Sequence, residues 1–113
     1  MTLNDVISKA DGLAPNMIAP EVKTGWLSTL DGRLAVEDGA EEIPSYEYGR
    51  DGGTELYLPH PFDGAYVFYV EAMIHYHNHD YGEYNNAVVQ YTEQIEAYRA
   101  SRAVSTAFRN FFM

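Results

Sequence analysis

The sequence contains no cysteine, so disulfide bridges, a thiol nucleophile and zinc–thiolate sites are all excluded, in keeping with a reducing compartment. Basic residues are scarce. Seven Lys and Arg stand against seventeen Asp and Glu, for a formal net charge of −10. Nucleic-acid binding rests on Lys and Arg neutralising phosphates, so tight DNA binding is not expected. No stretch reaches the ~18 uninterrupted apolar residues of a membrane span, because Glu71 and His75 break the best run. The opening Met1-Thr2-Leu3-Asn4-Asp5 lacks the basic start and apolar middle of a secretion signal. A mature, soluble, cytoplasmic chain with no membrane partner is the expectation.

Catalytic signatures are missing as well. There is no Gly-x-Ser-x-Gly elbow around Ser8, Ser28, Ser45, Ser101 or Ser105. Gly49, Gly52 and Gly53 precede no Lys-Ser/Thr pair, so no phosphate-binding loop is predicted. Neither an enzyme nor a bound cofactor is expected from the sequence.

What is present is a helical pattern. At 113 residues and 46% apolar, the chain suits a single all-α domain over residues 1–113, with one core. Thr2 can cap a first helix, with Asp5 favourable near its N-terminus. Leu3, Val6, Ile7 and Ala10 share one face of it, and Gly12 and Pro15 end it. Pro20 opens a second helix reaching about residue 36. Its apolar stripe is Val22, Trp26, Leu27, Leu30 and Leu34, and Glu21, Lys23, Ser28 and Asp31 are assigned to the polar side. Trp26, the sole tryptophan, is expected to anchor the core.

Residues 37–57 are acidic and glycine-rich. Arg50-Asp51-Gly52-Gly53-Thr54 is a turn signal, and Ile43, Tyr46, Tyr48, Leu56 and Tyr57 could form a short β-hairpin around it. The alternative is a long acidic loop, solvated or facing a partner. The spacing Asp51-Gly52-Gly53-Thr54-Glu55 lacks the ligand ladder of a calcium loop.

Pro59 and Pro61 flank His60 and predict an extended approach to a third helix from Ala65, with Asp63 able to cap or charge-stabilise its N-terminus. Tyr66, Tyr69, Val70, Met73, Ile74 and His77 make one broad face, while Val67, Phe68 and Ala72 fill much of the rest. A helix this apolar all round is central, or its spare face meets another subunit. Asn78-His79-Asp80-Tyr81-Gly82 predicts a break. A fourth helix then runs from about Glu83 to Phe108 or beyond, with Tyr84, Ala87, Val88, Tyr91, Ile95 and Tyr98 on one face. The tail aromatics Phe108, Phe111 and Phe112 either cap the core or dock on a neighbour. The result is a bundle of about four helices with the loop or hairpin between the second and third.

His75 and His79 are the metal candidates, since an i, i+4 pair on a helix can bind zinc or nickel. No His-Glu-x-x-His pattern or third ligand accompanies them. Polar-face and helix-end positions explain them better, and no metal is expected. Ten tyrosines suit packing and subunit contacts, where a large amphipathic side chain has few rotors to immobilise.

Three segments carry a resemblance: Trp26-Leu27-Ser28-Thr29-Leu30-Asp31-Gly32-Arg33, then Thr54-Glu55-Leu56-Tyr57-Leu58-Pro59-His60-Pro61-Phe62-Asp63, and Tyr66-Val67-Phe68-Tyr69-Val70-Glu71-Ala72-Met73-Ile74. Tyr84-Asn85-Asn86 follows at a distance. The pattern resembles small prophage proteins of Gram-positive bacteria that are similar to head–tail connector (adaptor) proteins of long-tailed phages. It covers roughly residues 20 to 98, on scattered positions. The resemblance implies a helical protein that assembles as a homo-oligomeric ring, commonly dodecameric, joining the portal to neck or tail proteins. DNA would pass through its channel without specific binding. It implies residence in the bacterial host's cytoplasm during assembly and then in the virion, and no catalytic residue. Trp26, Leu30, Pro59, Pro61, Tyr66, Tyr69 and Tyr84 become packing, turn and interface positions. A small helical adaptor binding a protein partner through the 37–57 loop is the alternative.

Overall fold

The computed structural model describes the backbone of residues 1–112 and the side chains of residues 1–105. It contains four helices: α1 (Leu3–Leu13), α2 (Pro20–Glu37), α3 (Ala65–His77) and α4 (Tyr81–Phe112). The fold is therefore all-α, and the expected bounds hold to within a few residues. No strand occurs among the described residues. The hairpin alternative for the α2–α3 connection is not what forms, and a single antiparallel bridge joins Thr2 to Glu55 instead.

α3 is the hub of the packing and contacts α1, α2 and, most extensively, α4. Its buried Tyr66, Val70 and Ile74 meet Leu3, Val6 and Ala10 of α1, Leu27, Leu30 and Leu34 of α2, and Ile95 and Tyr98 of α4 in one cluster. Each large apolar side chain buried this fully contributes about 1.5–3 kcal/mol. α4 is long enough, at ~1.5 Å per residue, to span most of the molecule's 52 Å principal extent. The expectation for Phe108, Phe111 and Phe112 lies outside the residues whose side chains are described.

The connection of residues 38–64 is a loop whose acidic stretch is largely exposed, and its later part packs on the helices as a structural arm. Leu56 and Leu58 from this arm are buried in the core. The arm also completes the start of α1. A helix leaves its first N–H groups without intrahelical acceptors; Leu3 N–H donates to the Thr54 carbonyl at 3.0 Å and Asn4 N–H to that of Gly52 at 2.9 Å. Thr2 and Asp5 cap each other's backbone reciprocally, as the sequence suggests. The Asn4 side chain lies directly over Gly52, where the first carbon of any side chain would fall 2.4 Å from Asn4 Nδ2.

At the start of α3 the expected extended approach fails, and so does the capping role for Asp63. Residues 60–64 turn rather than run extended, because Phe62 N–H bonds back to the Pro59 carbonyl at 2.8 Å. Asp63 does not cap α3, whose N-cap is Gly64 without a side-chain bond. The Asp63 carboxylate instead accepts from the Met1 ammonium at 3.2 Å.

Candidate functional site

Asp31 sits on α2 with no solvent exposure, although its residue type argues for the polar face. Three donors converge on its carboxylate. Tyr66 Oη of α3 donates to Oδ1 at 2.6 Å, while the Tyr57 backbone N–H (3.0 Å) and Tyr46 Oη, both from the arm, donate to Oδ2. Tyr66 Oη in turn accepts from Leu58 N–H at 2.6 Å. A buried carboxylate needs such donors, since stripping its water without replacement costs several kcal/mol. Burial pushes the Asp31 carboxyl above its ordinary 3.8, while the two tyrosine hydroxyls and the Tyr57 amide pull it down. The tyrosines respond in the opposite sense. Burial and then the Asp31 charge raise the Tyr66 hydroxyl far above 10, and burial and the Asp31 hydrogen bond do the same to Tyr46. No cation pairs with Asp31 among the described residues. The group is a joint that pins the arm to α2 and α3.

A second carboxylate repeats the arrangement at the end of α2. Asp38 accepts from Tyr57 Oη at 2.6 Å and from Tyr98 Oη of α4. Arg102 Nε stands 3.5 Å from its other oxygen, and Arg99 pairs with Glu37 in a two-pronged contact at 2.7 and 3.1 Å. α4 is thereby tied to the arm and to α2. An open cavity of about 500 Å³ lies beside this joint, lined by Tyr57, Pro59, Phe62, Tyr98 and Arg102 among others.

The third feature is a groove of about 220 Å³ between α3 and α4, lined by Tyr69, Met73, Tyr84, Val88 and Tyr91 among others. Tyr69 and Tyr91 hold its floor, with ring centroids 5.4 Å apart. Burial raises both hydroxyls above 10, and the nearby Arg33 charge opposes this at Tyr69.

The residues singled out by sequence divide between these features. Leu30 and Tyr66 are buried, as packing requires. Trp26 is half-buried and stacks on His77 at 5.3 Å rather than entering the core fully. Tyr69 and Tyr84 line the groove, while Pro59 and Pro61 are exposed. The helical premise for His75 and His79 as a metal pair fails. α3 ends at His77, and His79 has a left-handed φ of 59° with its Nδ1 3.1 Å from Tyr81 Oη. His75 Nε2 is buried 3.5 Å from Glu71 Oε1, without hydrogen-bond geometry to it. Among the described residues no three His, Asp or Glu side chains gather as a metal site, and no helix is long and apolar enough to cross a membrane.

Asp31, Asp38, Tyr57, Tyr98 and Arg33 are not among the candidate site residues that the sequence points to. A signal for Asp31 existed, because it lies four residues after Leu27 and three before Leu34, on the buried stripe of α2. No family model, curated protein or solved structure matches the chain.

Proposed function

We propose that the chain is a structural subunit of a phage or prophage head–tail connector, one that oligomerises into a ring joining the portal to the neck or tail around a DNA channel. One observation carries this. The three segments that bear the resemblance meet at Asp31: the first supplies the carboxylate, the second the Tyr57 amide and the third the Tyr66 hydroxyl. Residues scattered in the sequence thus form one structural unit, as expected if the resemblance reflects a shared fold. The net charge of −10 supports a channel that DNA traverses without sticking, since acidic walls repel phosphates. On this proposal the protein works in the host cytoplasm during assembly and then in the virion, with no catalysis, metal or cofactor. Mass in solution and electron microscopy, for the chain alone and with a portal protein, test it. Rings are expected, and a monomer under both conditions would refute it.

A second reading is an adaptor that binds a protein through the arm. It is favoured by Ile43 and Tyr48, each about half exposed among exposed Glu41, Glu42 and Glu47. Assembly that needs no arm residue, and no partner that protects the arm, would count against it.

A further inference from the structure

The aromatic groove between α3 and α4 has a chemical complement elsewhere on the same chain. Among the described residues Lys9 and Arg33 are the cations that form no ion pair. Arg33 is exposed on the flank of α2 that carries Trp26, which stacks on α3, and Glu37, which pairs with α4, and its charge reaches the Tyr69 hydroxyl of the groove. In a chain of net charge −10, an unpaired guanidinium beside an apolar groove favours an apolar side chain accompanied by carboxylates. Of the exposed large apolar residues among those described, Ile43 alone follows directly on two acids, Glu41 and Glu42. Neither acid is ion-paired among the described residues, and Ile43 is 50% exposed.

Ile43 does not serve its own groove. The arm crosses α2 at Ser28, whose Oγ accepts from Tyr46 N–H at 2.9 Å, and at Gly32, where Ile43 Cγ2 lies 3.7 Å from the site of an added Cβ. Trp26 touches α3 and Glu37 pairs with α4. With ~100° per residue on a helix, Ser28 and Gly32 fall on one flank of α2, and Trp26, Arg33 and Glu37 on the other. The apolar knob and the groove therefore lie on opposite sides of α2.

We propose that Ile43, with Glu41 and Glu42, docks into the Tyr69–Met73–Tyr84–Val88–Tyr91 groove of a second copy, where Arg33 receives the carboxylates. Because the two surfaces differ, the contact is head-to-tail and propagates into a closed ring or an open filament. The proposal rests on self-assembly, as in the connector reading, and supplies the contact for it.

Sedimentation equilibrium of the full chain tests it with Arg33→Glu, with Glu41→Lys/Glu42→Lys, with all three changes together, and with Ile43→Ser. Far-ultraviolet circular dichroism and urea melts check that each variant folds. The changes are on exposed residues, so folding should be retained. Arg33→Glu, the double lysine change and Ile43→Ser should each weaken self-association by about tenfold or more. The charge-swapped triple variant should return to within about threefold of wild type. Rings that ignore these changes, or a swap that restores nothing, would overturn the docking mode while leaving the connector reading intact. So would a chain that is monomeric alone and forms rings only on a portal protein. A monomer under both conditions overturns both.

Discussion

Removing the Asp31 carboxylate should detach the arm. In Asp31→Ala the Tyr66 hydroxyl and the Tyr57 amide lose their acceptor in the interior, and the hydroxyl of the partly buried Tyr46 loses it as well. Each orphaned interior donor costs about 1–3 kcal/mol, and relief of the carboxylate's own burial offsets part of the sum. The net loss should be about 3 kcal/mol. Tyr66→Phe keeps the ring but removes one donor to Asp31 and the acceptor for Leu58 N–H, for about 2 kcal/mol. Since both variants break the same 2.6 Å bond, the double variant should be less destabilised than the sum by about 1.5 kcal/mol. Urea denaturation followed by circular dichroism measures all three. Hydrogen exchange adds a local readout: the Tyr57 and Leu58 amides should exchange about 30-fold faster in Asp31→Ala, for a local loss near 2 kcal/mol. An Asp31→Ala cost below about 0.5 kcal/mol, the range of ordinary surface changes, with those amides still protected, would refute the reasoning.

The remaining predictions concern charge and packing. Asp31 titrates above 3.8 when folded, so its contribution to stability is fully present below the unfolded value and is lost as pH rises through the folded midpoint. Urea melts from pH 7 down to about 4 should therefore show wild type gaining on Asp31→Asn; a difference independent of pH would contradict this. Burial raises the hydroxyls of Tyr46, Tyr57, Tyr66, Tyr69, Tyr91 and Tyr98 above 10. Absorbance at alkaline pH should accordingly show incomplete tyrosine ionisation until unfolding releases the rest in one step, and a smooth curve for all ten tyrosines would be inconsistent with it. Arg99→Ala should cost only about 0.5 kcal/mol by urea melting, because the pair with Glu37 is half exposed on both sides and screened.

The helices were legible because their signals are local. Capping by Thr2 and Asp5, Pro20 at a first turn, and three- and four-residue apolar spacing in α4 act within a few residues, and the structure follows them. The central role of α3 was legible from its lack of a polar face. The arm was not, since its stabilisation comes from partners far away in sequence: Tyr57 with Asp31, Asp38 with Tyr98, and Thr54 with Leu3. Residue type also misled. Lys23 and Asp31 were assigned to the surface as charged groups. Yet Lys23, at 3% exposure, is buried against Asp11 at 2.6 Å, and both residues share the stripe of Leu27, Leu30 and Leu34. Position on the stripe was the better guide than charge. The groove depended on how α3 and α4 meet, which spacing on either helix alone does not specify.

The connector proposal is tested most directly by negative-stain electron microscopy and native mass measurement of the full chain at high concentration, alone and mixed with a portal protein. Closed rings of one stoichiometry with a central opening are expected, either alone or on the portal. A chain that remains a monomer or stops at a dimer in both samples would contradict it.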